Sequence, residues 1–126
     1  MEKEIILTAG ADPTKMTFSP AVKIGNKVYP SGSAGINKDG SLPGLDIESQ
    51  ARQAFANIQE ALEAAGSSLA KVVKVNCYLT HPKRDIAGWN KVYKETFPVD
   101  PPARTTIGCT LLNDDWCLEI EVVAYA

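Results

Sequence analysis

The chain has 126 residues, a length for one domain able to bury a real core. It is 44% hydrophobic and 22% charged, an ordinary globular balance, and 13 Lys+Arg against 15 Asp+Glu leave a net charge of −2. That balance supplies no basic field for a nucleic-acid backbone, and no run approaches the roughly 20 apolar residues of a membrane span.

In chain order, MEKEIILTAG carries charges and only a short aliphatic run, which is not the pattern of a secretory leader. Within it, residues 3–8 suit a first strand, ended by AGADPTK. AVKIG (21–25) and KVYPSG (27–32) follow as two further strands, joined at Gly25-Asn26, where a left-handed backbone is tolerated. NKDGSLPG (37–44) is a loop. Ile47, Ala51, Ala54, Phe55, Ile58, Ala61, Leu62 and Ala65 then recur at three- and four-residue steps, predicting an amphipathic helix capped by Asp46 and closed by Gly66.

KVVKVNCYLT (71–80) alternates, which sets Val73, Val75, Cys77 and Leu79 on one face and Lys74, Asn76, Tyr78 and Thr80 on the other. A second helix is expected near 84–97, with Ile86, Trp89, Val92, Tyr93 and Phe97 as its apolar stripe. Pro98, Pro101 and Pro102 enforce an extended linker. Two last strands, near 104–111 and 116–124, flank the turn cluster LNDD. The order β-β-β-α-β-α-β-β predicts a single α+β domain over 1–126, with both helices on one face of the sheet. The chain has nothing left to cover the other face, and self-association is the economical way to bury it.

Cys77, Cys109 and Cys117 form no metal-ligand spacing and read as buried free thiols, which fits a reducing, cytoplasmic setting. His81 reads as a loop residue, and Trp89 and Trp116 as packing aromatics. Lys71, Lys74, Lys83 and Arg84 are too dispersed to form an RNA-binding patch.

One stretch, DPPARTTIG (100–108), places a lone arginine behind two prolines and ahead of β-formers. Arg104 is either a solvated residue at the mouth of a strand or a fixed anion receptor. If the last two strands form a hairpin with Ile107, Cys109 and Leu111 inward alongside Leu118, Ile120 and Val122, then Arg104, Thr106 and Gly108 share the outer face with Cys117, Glu119 and Glu121. Gly108 then lies opposite Glu119, about 13 Å along the strand from Arg104, too far for an ion pair. Both charges would project from the face suspected of meeting a neighbouring subunit.

PPARTTIG followed by LEIEVVAYA (118–126) resembles the signature of the Rid family, the YjgF-like reactive intermediate deaminases also known as endoribonuclease L-PSP. The resemblance extends through AVKIGNKVYPSG (21–32), residues 46–79 and WNKVYKETF (89–97). It implies a chorismate-mutase-like α+β fold with two helices on a mixed sheet, a homotrimer with sites between subunits, and neither metal nor organic cofactor. It also implies hydrolysis of 2-imino acids of the 2-iminobutanoate/2-iminopropanoate type to 2-keto acids and ammonia.

By that resemblance Arg104 grips the substrate carboxylate, for which a guanidinium fork is suited, and Glu119 handles water and proton. Phe18, Ser31, Gly32, Asn90 and Thr106 are matched as substrate-binding positions, whereas Glu121 is not matched as catalytic. Phe18 stands where the family's deaminases usually carry tyrosine, Thr106 where a cysteine is frequent, and Ser33 where glutamine is. Alternative functions are a trimeric small-carboxylate binding or chaperone protein without turnover, and a related deaminase of an aminomuconate-like substrate. An endoribonuclease or translation inhibitor is disfavoured by the acidic balance and the lack of a stacking-plus-basic motif.

Overall fold

The computed structural model describes residues 2–126. Its elements are β1 (Glu4–Ile6), β2 (Ala21–Ile24), β3 (Lys27–Pro30), β4 (Ser33–Ala34), α1 (Ile47–Ala64), a short 3-10 turn (Leu69–Lys71), β5 (Val72–Leu79), α2 (Pro82–Thr96), β6 (Ala103–Gly108) and β7 (Leu118–Tyr125). The α+β expectation holds, with both helices on one face of a mixed sheet. The short strand β4 is an addition.

Local chemistry explains the elements that matter most. Asp46 caps α1 by accepting from the Ser49 amide at 3.0 Å, and the Ser49 hydroxyl and amide together hold its carboxyl below the usual carboxylate range. Gly66 ends the helix at φ +79°, with the Ser67 amide returning to the Leu62 carbonyl. Between them Ala51, Ala54, Phe55, Ile58 and Leu62 are buried against the sheet, as the three- and four-residue spacing requires. The 25–26 turn pairs Ile24 with Lys27, and Gly25 takes φ +58°.

Sheet order is β1-β2-β3-β7-β5-β6, with β4 attached to β7. This order overturns the terminal hairpin. β6 runs parallel to β5, while β7 pairs with the other edge of β5 in antiparallel fashion. β5, α2 and β6 thus form a crossover unit, and residues 109–117 straddle the end of β5 instead of making a tight turn. Bonds from the Cys109 amide to the Leu79 carbonyl and from the Thr80 amide to the Cys117 carbonyl fix that passage.

Three smaller expectations are also corrected. A β-bulge between Val72 and Lys74 turns Val73 outward, so Val72 takes the buried position in its place. α2 begins at Pro82, a favoured first helical residue, and its Ile86 faces solvent. Cys77 and Cys117 are buried free thiols as expected, but Cys109 is only half-buried.

Gln50 ties α1 to the crossover loop. Fully buried, it donates to the Gly44 and Asp115 carbonyls and accepts from the Cys117 amide at 2.7 Å. All its hydrogen-bonding groups but one lone pair are thereby satisfied. Among the described residues the opposite sheet face carries no helix and presents Ile5, Tyr29 and Ile107 to solvent.

Where β4 meets α1, Gly35 admits the helix so closely that a Cβ there would lie 2.6 Å from the Gln50 Cα. Gly35→Ala should therefore cost about 3 kcal/mol through forced displacement of α1. A urea unfolding midpoint equal to that of the wild type would contradict this packing.

Candidate active site

Arg104 owes its position to β6 and to what precedes it. Asp100 sits at φ +47°, a conformation that aspartate tolerates better than most residues, and Pro101-Pro102 then carry the chain extended into Ala103. In the parallel register Arg104 aligns with Val75 and Thr106 with Cys77, both core residues on the helix-bearing face. The arginine therefore projects toward α2, at the open edge of the sheet.

There its Nη1 donates to Asn90 Oδ1 at 2.8 Å, and its guanidinium lies over the Tyr93 ring, 4.7 Å from the centroid. Thr106 Oγ1 accepts from Trp89 Nε1 at 3.4 Å. Arg104, Asn90 and Thr106 accordingly form one group, and the hydroxyl of Thr106 is drawn toward the aromatic core.

Glu119 belongs to a second group on the other side of the sheet. It aligns with Tyr78 on the face that lacks helices. Its carboxylate lies against Gly32, where an added Cβ would fall 3.2 Å from Oε1. The adjacent Ser31 is held by its own bonds, hydroxyl to the Ser19 carbonyl at 2.6 Å and amide to the Pro20 carbonyl at 3.0 Å. Ser31 and Gly32 also line a cleft of about 510 Å³ that is walled by Phe18, Pro20 and Pro30 and, from α1, by Asn57, Ile58 and Ala61; Glu119 is not among its lining residues. Phe18 is 70% exposed at its rim.

Arg104 and Glu119 do not share a face, as the hairpin register required. Their separation stands for a different reason: the sheet itself lies between them. Since β5 separates their strands, the expected pairing of Gly108 with Glu119 is absent too; Gly108 aligns with Leu79 instead.

Comparison with known proteins agrees with the fold. Residues 9–126 match the family model described as Endoribonuclease L-PSP. A RutC family protein of Pyrococcus horikoshii is 40% identical over 124 residues, covering 98% of each chain. The chain belongs to the Rid (YjgF/RutC) family. A 2-iminobutanoate/2-iminopropanoate deaminase of Dermatophagoides farinae is 37% identical, covering 96% of this chain and 94% of that one. The crystal structure of RidA from an Antarctic Psychrobacter superposes with a TM-score of 0.86 at 38% identity, covering 98% and 99% of the two chains.

In this Rid protein the two acids of LEIE occupy distinct environments. Glu121 Oε1 accepts from the Tyr78 hydroxyl in a short bond and from Asn76 Nδ2 at 3.3 Å. Glu119 receives no hydrogen bond among the described residues, so its lone pairs remain available. Two contacts in these groups leave no sequence signal. Tyr93 belongs to the apolar stripe of α2 and Tyr78 to the polar side of its strand, and neither pattern indicates what the side chain touches. His81 stays a surface residue, Trp89 packs against Phe55, and burial pushes the Cys77 thiol far up, away from nucleophilic use.

The Tyr78 phenol is pushed up to about 12, chiefly by its hydrogen bond to Glu121. Below pH 10 the phenol is protonated whether folded or not, and the bond contributes in full. Between about 10 and 12 the unfolded chain releases this proton while the folded chain retains it, so stability falls as pH rises. A Tyr78→Phe variant should show a flatter decline of melting temperature across that interval. An identical alkaline decline in both proteins would contradict the assignment.

Proposed function

We propose that this Rid protein hydrolyses 2-imino acids of the 2-iminobutanoate/2-iminopropanoate type to 2-keto acids and ammonia, as a homotrimer with its sites between subunits. The observation that carries this reading is the division of the required groups between two faces of one sheet. A carboxylate receptor stands at the β6 edge, and an unpaired carboxylate beside Gly32 stands on the face without helices. No single protomer closes both around one small molecule, but a second copy offering its β6 edge to this face would. The exposed Ile5, Tyr29 and Ile107 supply apolar surface for that contact. The relative named a 2-iminobutanoate/2-iminopropanoate deaminase supplies the reaction class.

The chemistry follows from the groups. Arg104 of one subunit offers Nε and Nη2 to the substrate carboxylate, since Asn90 already takes Nη1. Asn90 thus acts by fixing the arginine. Glu119 of the neighbouring subunit accepts a proton from water as the oxygen adds to the imine carbon, and returns it to nitrogen. In the resulting carbinolamine Glu119 carries the hydroxyl proton to nitrogen, and as the C–N bond breaks ammonia leaves and the carbon–oxygen bond becomes the ketone. An imine carbon is already electrophilic, so positioning and proton transfer suffice. With Phe18 at the rim, the substrate's side chain meets an apolar wall where a phenol would have supplied a donor. Three free thiols fit a reducing compartment such as the cytoplasm.

The test couples the protein to a threonine dehydratase and traps the surviving imine with semicarbazide. Wild-type protein should depress trapping, and Arg104→Ala or Glu119→Gln should each lower the rate by roughly 100-fold or more with oligomer mass unchanged. Full activity in either variant contradicts the assigned roles. A folded wild-type trimer that never depresses trapping favours a carboxylate-binding protein without turnover.

A further inference from the structure

The guanidinium of Arg104 rests on more than its hydrogen bond to Asn90. Beneath it the Tyr93 ring is 8% exposed, locked edge-on to Phe55 and Trp89 and tilted against Phe97, with centroid separations of 6.4, 5.4 and 4.9 Å. Its hydroxyl points to the Pro102 carbonyl at 3.5 Å, within the proline lead-in that places the arginine. A long exposed arginine ordinarily samples many rotamers, and ordering it on ligand binding costs affinity. A fixed aromatic face attracts the cation and restricts the plane in which its N–H groups point.

We infer that Tyr93 is a positioning residue, an electron-rich shelf that pre-orients Arg104 so that its Nε–Nη2 edge is presented to a ligand carboxylate. The inference rests on the reading of Arg104 as a carboxylate receptor. The ring face and Asn90 divide the work. Asn90 fixes the rotation of the guanidinium in its plane through Nη1, and Tyr93 fixes the plane itself. The phenol hydroxyl is secondary, because at 3.5 Å its bond to Pro102 is long.

The measurement is calorimetric titration of the full-length protein with 2-oxobutanoate, the expected product, so that no turnover is needed. Tyr93→Phe keeps the ring face and should bind within about twofold of wild type. Replacing Tyr93 by pentafluorophenylalanine keeps most of the shape but reverses the polarity of the face, and should weaken binding roughly three- to tenfold. In an Arg104→Ala background, where binding is largely lost, the same replacement should cause no further change.

A graded series of fluorinated phenylalanines keeps the test decisive if the fully substituted ring does not fold, since affinity should fall stepwise with ring electron density. Equal binding by folded Phe and fluorinated variants, with Arg104→Ala still impaired, overturns the shelf alone. Undiminished binding by Arg104→Ala overturns the receptor reading and the shelf with it.

Discussion

Strand β5 decides what this molecule can do. Every side chain along it points to one face or the other, and both neighbouring strands inherit that alternation through their registers. Val75 and Cys77 carry Arg104 and Thr106 to the helix side, while Tyr78 aligns with Glu119 on the bare side. The bulge at Val73 lies before all of these residues and so leaves the assignment intact. A parallel strand on one flank and an antiparallel one on the other thus split a cation and a carboxylate across a barrier neither can cross. On the proposed reading, a second copy of the chain brings them together.

That division has an energetic consequence. Within one subunit an arginine and a glutamate at bonding distance would neutralise each other, leaving neither for a ligand. Kept apart, Arg104 is held only at Nη1 and over one face, and Glu119 abuts Gly32 without a donor among the described residues. Glu121 supplies the contrast on the same strand. Its bonds to Tyr78 and Asn76 occupy it locally, so two acids of one motif sit in different environments. Preorganisation of this kind spares a binding site the ordering cost of its own side chains.

Much of the fold was legible in the chain. Asp46, Gly66 and the three- and four-residue spacing between them specify α1 by local chemistry, and Gly25 specifies the first hairpin. The resemblance singles out Arg104 and Glu119 as candidate site positions, and the structure shows where each one sits. Strand neighbours were another matter. Parity along residues 104–111 is correct only relative to an assumed partner, and nothing local in LNDD says that a strand already laid down will intervene. The inward assignment of Ile107 failed for that reason, as Val73 failed because a bulge leaves no mark on an alternating pattern. Tyr93 was invisible in a different sense. A buried aromatic that packs only against the core and one that also underlies a cation share the same periodicity.

The central claim is that one site draws Arg104 and Glu119 from different subunits, and subunit mixing tests it most directly. Inactive Arg104→Ala and Glu119→Gln proteins are unfolded together, refolded as mixed oligomers, and assayed for loss of semicarbazide-trapped imine. If the site is shared, random mixing leaves about one quarter of the sites with both groups intact, and activity returns to about that level. If mixed oligomers demonstrably form and remain as inactive as either parent, the two residues act within one chain, and the account is wrong.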